Sequence, residues 1–127
     1  ATWRDRAVSQ EDVDKSKGAI DIVSGEDVTC NCFTKSYGKY IKGTGSVVAN
    51  RSVDKSAWDG RLGDTDDGVR LRYFAVREVT RLHSLPDDFK WPESLTKRQK
   101  YHLLGNSMSA ACVAPLFDYL FSDDIGR

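Results

Sequence analysis

Apolar residues in this chain come in short groups of differing spacing, separated by turn residues. In residues 8–17, Ser9 stands three positions before Asp12, a pattern that opens a short helix. Ala19, Ile20, Ile22 and Val23 form a run rich in β-branched residues, closed by Ser24 and Gly25, which predicts a strand. Across residues 32–48, aromatic and β-branched residues alternate with lysines, while Gly38, Gly43 and Gly45 break the period. A twisted strand-loop-strand surface is expected there. Residues 50–70 have no apolar period and include Asp64, Asp66 and Asp67. They predict a solvated, partly mobile loop pinned by Trp58.

The second half is more regular. Residues 70–74 read as an extended lead-in, and Val76, Val79 and Leu82 recur at helical spacing, predicting a helix over 76–83. Pro86 fixes its own φ and restricts Leu85, so residues 85–89 form a turn that Trp91 and Pro92 prolong. Thr96 and Gln99 match a capping box, in which each side chain serves the other's backbone N–H. A helix over 97–104 follows, ended by Gly105 in a left-handed conformation. Ala110, Val113, Ala114, Phe117 and Leu120 mark a helix over 109–120, bent by Pro115. Its apolar stripe calls for a surface to pack on, and the chain by itself should expose it.

At 127 residues and 39% hydrophobic, the chain suits one modest core and is not wholly disordered. Its zero formal charge argues against wholesale wrapping in nucleic acid but permits a local basic patch. No apolar run approaches the roughly 20 residues of a membrane span. The first residues lack an apolar signal core and begin abruptly, as a fragment or processed piece would. Three cysteines, Cys30, Cys32 and Cys112, form no regular framework, which points to reduced thiols and an intracellular compartment. In an extended segment Cys30 and Cys32 share a face. A metal site is not expected, because His83 and His102 are the only other soft ligands and the spacing is wrong. Cys112, inside the apolar helix, reads as packing, and His83 and His102 as surface or satisfied histidines.

Lys35, Lys39 and Lys42 interleave with Phe33, Tyr37 and Tyr40, a combination that binds single-stranded RNA through phosphate contacts and base stacking. Lys97, Arg98, Lys100 and His102 would extend the patch. The same residues have a plainer reading. Tyr37 and Tyr40 fit half-buried core positions equally well, and the lysines fit a solvated face.

Two strings go further: Cys32-Phe33-Thr34-Lys35-Ser36-Tyr37-Gly38-Lys39-Tyr40 with the Gly-Thr-Gly-Ser that follows, and Gly105-Asn106-Ser107-Met108. With Arg77-Glu78 and Pro86-Asp87-x-Phe89 between them, they resemble the C-terminal part of the cytosine-5 methyltransferases, in particular the branch that methylates tRNA. The resemblance covers about residues 17–48 and 70–121. It implies an α+β segment of a few irregular strands and short helices, whose C-terminal helix belongs to an α/β Rossmann-like methyltransferase domain. It divides the chain into a target-recognition region over 1–95 and cofactor-side helices over 96–127. Asn106, Ser107 and Met108 would contact S-adenosylmethionine. Cys32, Phe33, Thr34, Lys35, Tyr37, Lys39, Tyr40 and Lys42 would contact tRNA. Arg77, Glu78 and Gly105 would give structural support.

The implied substrate is the anticodon-loop cytosine, position 38, of aspartate tRNA. The implied partner is an N-terminal catalytic half, and the implied compartments are cytoplasm and nucleus. A DNA-methylating enzyme and a non-catalytic nucleic-acid-binding module are the alternatives. The family's covalent chemistry uses a Pro-Cys nucleophile and a Glu-Asn-Val glutamate, and neither string occurs here, so the segment is not expected to act alone. Cys32 has a bland reading, a small buried hydrophobe, beside a direct role in RNA methylation. Two departures stand out. Ala75-Val76 replaces the usual Thr-Pro, removing a side-chain cap, and Ser84 stands where Gly usually precedes the Phe-Pro turn, implying a slightly different turn.

Overall fold

The computed structural model describes residues 3–122. After a short 3-10 turn at Trp3–Arg6, α1 spans Gln10–Ser16, β1 Ile22–Val23, β2 Val47–Ala49, β3 Leu71–Tyr73, α2 Val76–Leu82, α3 Lys97–Gly105 and α4 Ala110–Phe121. The strands form one small sheet in the order β1-β2-β3. β1 lies parallel to β2, pairing Ile22 with Val47, and β3 lies antiparallel to it, pairing Val48 with Arg72. The fold is thus α+β with short elements, as expected.

Local signals account for the helix starts. The Ser9 hydroxyl accepts from the Asp12 N–H at 3.1 Å, capping α1. The Thr96 capping box forms in full: Gln99 N–H donates to the Thr96 hydroxyl at 3.2 Å, and Thr96 N–H donates to the Gln99 side chain at 2.8 Å. At Ala75 the side-chain cap is missing, as expected, yet half of the box survives because the Glu78 carboxylate accepts from Ala75 N–H at 2.7 Å.

The strand-loop-strand expectation for residues 32–48 is corrected. Only the last residues of that stretch enter a strand, β2; the rest is a series of turns. Those turns are held by buried polar groups. Tyr37 is 1% exposed, its hydroxyl donating to the Ser46 carbonyl at 2.6 Å and accepting from Phe74 N–H at 2.9 Å. The Ser46 hydroxyl in turn donates to the Asp21 carboxylate. The predicted strand over 19–23 shortens to two residues.

Residues 50–70 hold no helix or strand, but they are tied down. The Gln10 amide donates to the Gly60 carbonyl at 2.8 Å and accepts from Leu62 N–H at 2.9 Å. Trp58 packs against the core and donates to the Arg61 carbonyl at 3.0 Å, the pinning role read from the sequence.

Two apolar clusters result. The first joins α1 to the sheet through Val13, Ile20, Val47, Ala49 and Leu71. The second joins the turns to α2 and α3 through Phe33, Tyr37, Val79, Tyr101 and Leu104. Tyr73 packs on both. Because Tyr101 and Leu104 share a core with Phe33 and Tyr37, the chain is continuous in packing across residues 95 and 96. α4 contributes no buried residue.

Candidate functional site: a groove where the two strings meet

Gly105 is the contact point. It is the last residue of α3, with a right-handed backbone, and Asn106 caps the helix at φ −94°. The expectation of a left-handed glycine stop is therefore corrected. The residue is glycine because α3 lies directly on the Thr34–Lys35 backbone, and any Cβ at 105 would overlap the Thr34 carbonyl carbon and Lys35 nitrogen. Gly45 has a related reason: at φ +144° it faces the Phe33 and Tyr37 rings, which a Cβ would meet at 2.8 and 2.9 Å.

Arg98 completes the joint. Its guanidinium donates to the Tyr37 carbonyl at 2.7 Å and to the Lys35 carbonyl. The sequence reading placed Arg98 on the outward basic patch; it is turned inward as a clamp.

Beside this joint an open groove of about 420 Å³ is lined by Cys30, Cys32, Phe33, Leu82, His83 and residues 107–109, with Cys112 at its α4 end. Both strings therefore contribute to one surface. Among the tRNA-contact residues, Cys32, Thr34, Lys35, Lys39, Tyr40 and Lys42 are exposed. Phe33 and Tyr37 are not free to stack on a base. They are buried in an edge-on aromatic cluster, with ring centroids 4.8 Å apart, and Tyr37 makes a further edge-on contact with Tyr101 at 5.4 Å. The physical reason is packing, since with three short strands among the described residues the aromatic rings of the turns must supply the core. Burial also pushes the Tyr37 hydroxyl far above its ordinary pKa, so it stays a neutral hydrogen-bonding group. Tyr40 remains 57% exposed, with the Lys39 ammonium 5.2 Å from its ring centre.

Of the cofactor candidates, Ser107 and Met108 line the groove. The Ser107 hydroxyl donates to the Leu104 carbonyl at 2.8 Å, and Met108 is 67% exposed. Asn106 is exposed outside the lining, its amide nitrogen 3.3 Å from His102 Nε2, while its backbone N–H closes α3. Of the support residues, Glu78 holds the Arg72 guanidinium in a two-pronged pair at 2.7 and 2.9 Å. Burial pulls the Glu78 carboxyl upward. The Arg72 hydrogen bond, the Ala75 N–H and the charges of Arg72 and Arg6 outweigh it and hold the group below its usual range. Arg77 is exposed on α2, away from the groove.

His83 is satisfied: Nδ1 lies 2.8 Å from the Val79 carbonyl, and its own carbonyl accepts from Ala110 N–H at 2.9 Å, anchoring the start of α4. Cys112 is exposed rather than packed, because α4 has no partner surface among the described residues. Cys30 is partly buried, which raises its thiol pKa, as do the nearby Asp21 and Cys32. No cluster of metal-ligating side chains occurs among the described residues. Ser109, Leu82 and Cys30 were missed as groove residues. For Ser109 and Leu82 the spacing carries no signal, because the fold alone brings them to the groove. Cys30, by contrast, follows from its two-residue spacing to Cys32, which puts both on one face of an extended segment.

Comparison with known proteins places this geometry. The family model for C-5 cytosine-specific DNA methylases matches residues 3–121. A DNA (cytosine-5)-methyltransferase of Dictyostelium discoideum is 41% identical over 113 residues, and the tRNA (cytosine(38)-C(5))-methyltransferase of Homo sapiens is 36% identical over 111. These alignments cover 84% and 80% of this chain, and 28% of each relative. The crystal structure of the Schizosaccharomyces pombe Dnmt2 methyltransferase superposes with a TM-score of 0.79 at 29% identity, covering 94% of this chain and 38% of that one. The Entamoeba histolytica methyltransferase EhMeth gives 0.76 at 31% identity, covering 97% and 38%. The chain thus spans 26–36% of the length of the curated relatives it matches, and it belongs to the C-5 cytosine methyltransferase family.

Proposed function

We propose that this chain is the substrate-reading and cofactor-side part of an S-adenosylmethionine-dependent tRNA (cytosine-5) methyltransferase, acting on the anticodon-loop cytosine, position 38, of aspartate tRNA. The observation that carries the reading is the joint at Gly105, where the Cys32-Phe33-Thr34 backbone and the Gly-Asn-Ser turn build one groove. Relatives from mammals and from fission yeast named for cytosine 38 of tRNA support it.

The groove fits one wall of a pocket for the methyl donor. Its face is mainly apolar, with Phe33, Leu82 and Met108, and it offers the hydroxyls of Ser107 and Ser109 at the rim. S-adenosylmethionine, when bound, supplies an electrophilic methyl group. This chain's own work is to shape and orient. Ser107 and Met108 form the wall, and Asn106 stands at the turn for a polar contact. Arg98 fixes the loop that presents Cys32 and Thr34. Lys35, Lys39, Lys42 and Tyr40 give phosphate and stacking contacts on the exposed side. The thiolate that attacks carbon 6 and the glutamate that holds the ring come from the rest of the protein, in keeping with the missing Pro-Cys and Glu-Asn-Val strings. In this reading the protein works in the cytoplasm and nucleus.

The Dictyostelium relative, named for DNA, favours a second reading in which the substrate is duplex DNA. The full-length protein should be assayed for methyl transfer to tRNA and to duplex DNA in parallel. Transfer to tRNA, lost when cytosine 38 is replaced, is the expected result. Robust transfer to DNA with none to tRNA would replace this proposal with the second reading.

A further inference from the structure

A second cavity, of about 250 Å³, shares no residue with the groove. It opens between α2 and α3 and is walled by Arg77, Thr80 and Arg81 of α2, by Phe89 and Trp91 of the following turn, and by Lys100 of α3. Three cations face it against one anion, Asp87. Arg81 takes that anion, with Nε 2.9 Å from the carboxylate. The Asp87 carboxyl is held below its ordinary range first by the Arg81 hydrogen bond, then by the Arg81 charge, with a smaller pull from Arg77. Among the described residues neither Arg77 nor Lys100 forms an ion pair. Two positive charges are therefore left over at the cavity.

The aromatic wall supplies the second half of a nucleotide site. Phe89 and Trp91 meet edge-on, with centroids 5.1 Å apart at 89°. In such a pair, the ring that offers its edge keeps both faces free of the other. Phe89 is 40% exposed, while Trp91 is anchored on the second core cluster. A fixed aromatic beside surplus guanidinium and ammonium groups is the combination that binds an unstacked base and its phosphate. The cavity is too small for a duplex.

We propose that this cavity binds one nucleotide of a single-stranded RNA segment, with its base against Phe89 and Trp91 and its phosphate on Arg77 and Lys100. It is a second RNA contact, separate from the Lys35–Lys42 surface, and it rests on the tRNA reading above only in taking RNA as the ligand. The site shares no residue with the groove, so it would set affinity and register.

The test uses the full-length protein, tRNA and a short single-stranded oligouridylate, over a salt series. The double variant Arg77→Gln/Lys100→Gln should bind both about tenfold more weakly at low salt. Its slope of log affinity against log salt should fall by about 0.7, for the one phosphate contact that the two side chains share. Phe89→Ala should weaken oligouridylate binding at least about fivefold without changing the slope. Arg77→Lys should restore most of the affinity, and Lys15→Gln, far along the chain on α1, should change nothing. Photo-crosslinking of wild-type protein to bromouridine-substituted oligouridylate gives a readout that no folding defect can imitate, and it should mark the peptide carrying Phe89 and Trp91. Unchanged affinity and slope in the double variant, or crosslinks confined to other peptides, would overturn the site while leaving the tRNA reading intact. Wild-type protein that binds no RNA would overturn both.

Discussion

Gly105 and Ser84 put opposite demands on a side chain. At 105 the backbone is ordinary and the space is missing, because the Thr34–Lys35 peptide occupies it. Gly105→Ala must push α3 off the loop that carries Cys32, which should destabilise the protein by about 1–3 kcal/mol. It should also widen the groove, seen as a lower denaturation midpoint together with faster labelling of Cys32. A midpoint equal to wild type would mean that the close contact does not exist in solution. At Ser84 the problem is conformation. Its φ is +59°, so the left-handed turn is kept although the residue is not glycine. A non-glycine residue there costs about 1–2 kcal/mol, and its one side-chain contact, 3.4 Å from the Ser109 hydroxyl, is a weak offset. Ser84→Gly should therefore raise stability by about 1 kcal/mol, read as a higher denaturant midpoint at unchanged slope. A lower midpoint would mean that the Ser109 contact outweighs the strain.

At the scale of elements, α2 rests on Glu78, which both caps Ala75 and grips Arg72 of β3. The helix is thereby tied to the sheet by charge as well as by Val79. Because the folded-state pKa of Glu78 is lowered, its contribution is present above the unfolded value, near 4.5, and is lost as pH falls through the folded value. Glu78→Gln should cost about 1–2 kcal/mol at neutral pH, allowing for partial exposure of the carboxylate, and less at pH 3, below the unfolded value. Urea titrations at the two pH values check this, and equal losses at both would reject the charge as the cause. Elements of this kind were legible in advance where the signal is local. Thr96 with Gln99, Ser9 with Asp12, and the spacing of Val76, Val79 and Leu82 all mark helices that form. The turns of 32–46 were not legible as turns. Their structure depends on contacts distant in sequence, such as Tyr37 to Phe74 and Arg98 to Lys35, which no local period encodes. The same distance effect hid the burial of Phe33 and the inward turn of Arg98, and it left Tyr37 undecided between core and surface. Family strings located the groove, but only the fold shows that Asn106 stands outside its lining while Leu82 and Ser109 stand within it.

At the scale of the whole molecule, α4 is the clearest sign that this chain works as part of something larger. Leu116, Phe117 and Leu120 are 61%, 54% and 59% exposed, and the helix starts from a firm anchor at His83. An apolar helix that is fixed at one end and bare along its length is stable in water only when another surface covers it. The relatives are several times longer than this chain, so the covering surface is expected from the remainder of such a protein. The two settings then respond oppositely to one change. In the 127-residue chain, Phe117→Gln with Leu120→Gln interrupts the exposed stripe and should shift a self-associating species toward monomer without lowering its melting temperature. In the full-length protein the same pair should lower stability by about 3–6 kcal/mol, because each side chain would leave a buried contact worth about 1.5–3 kcal/mol. Sedimentation of the short chain and denaturant unfolding of the long one measure the two effects. A monomeric wild-type chain would remove the first, and a full-length protein indifferent to both substitutions would mean that α4 faces water there too, which its composition cannot explain.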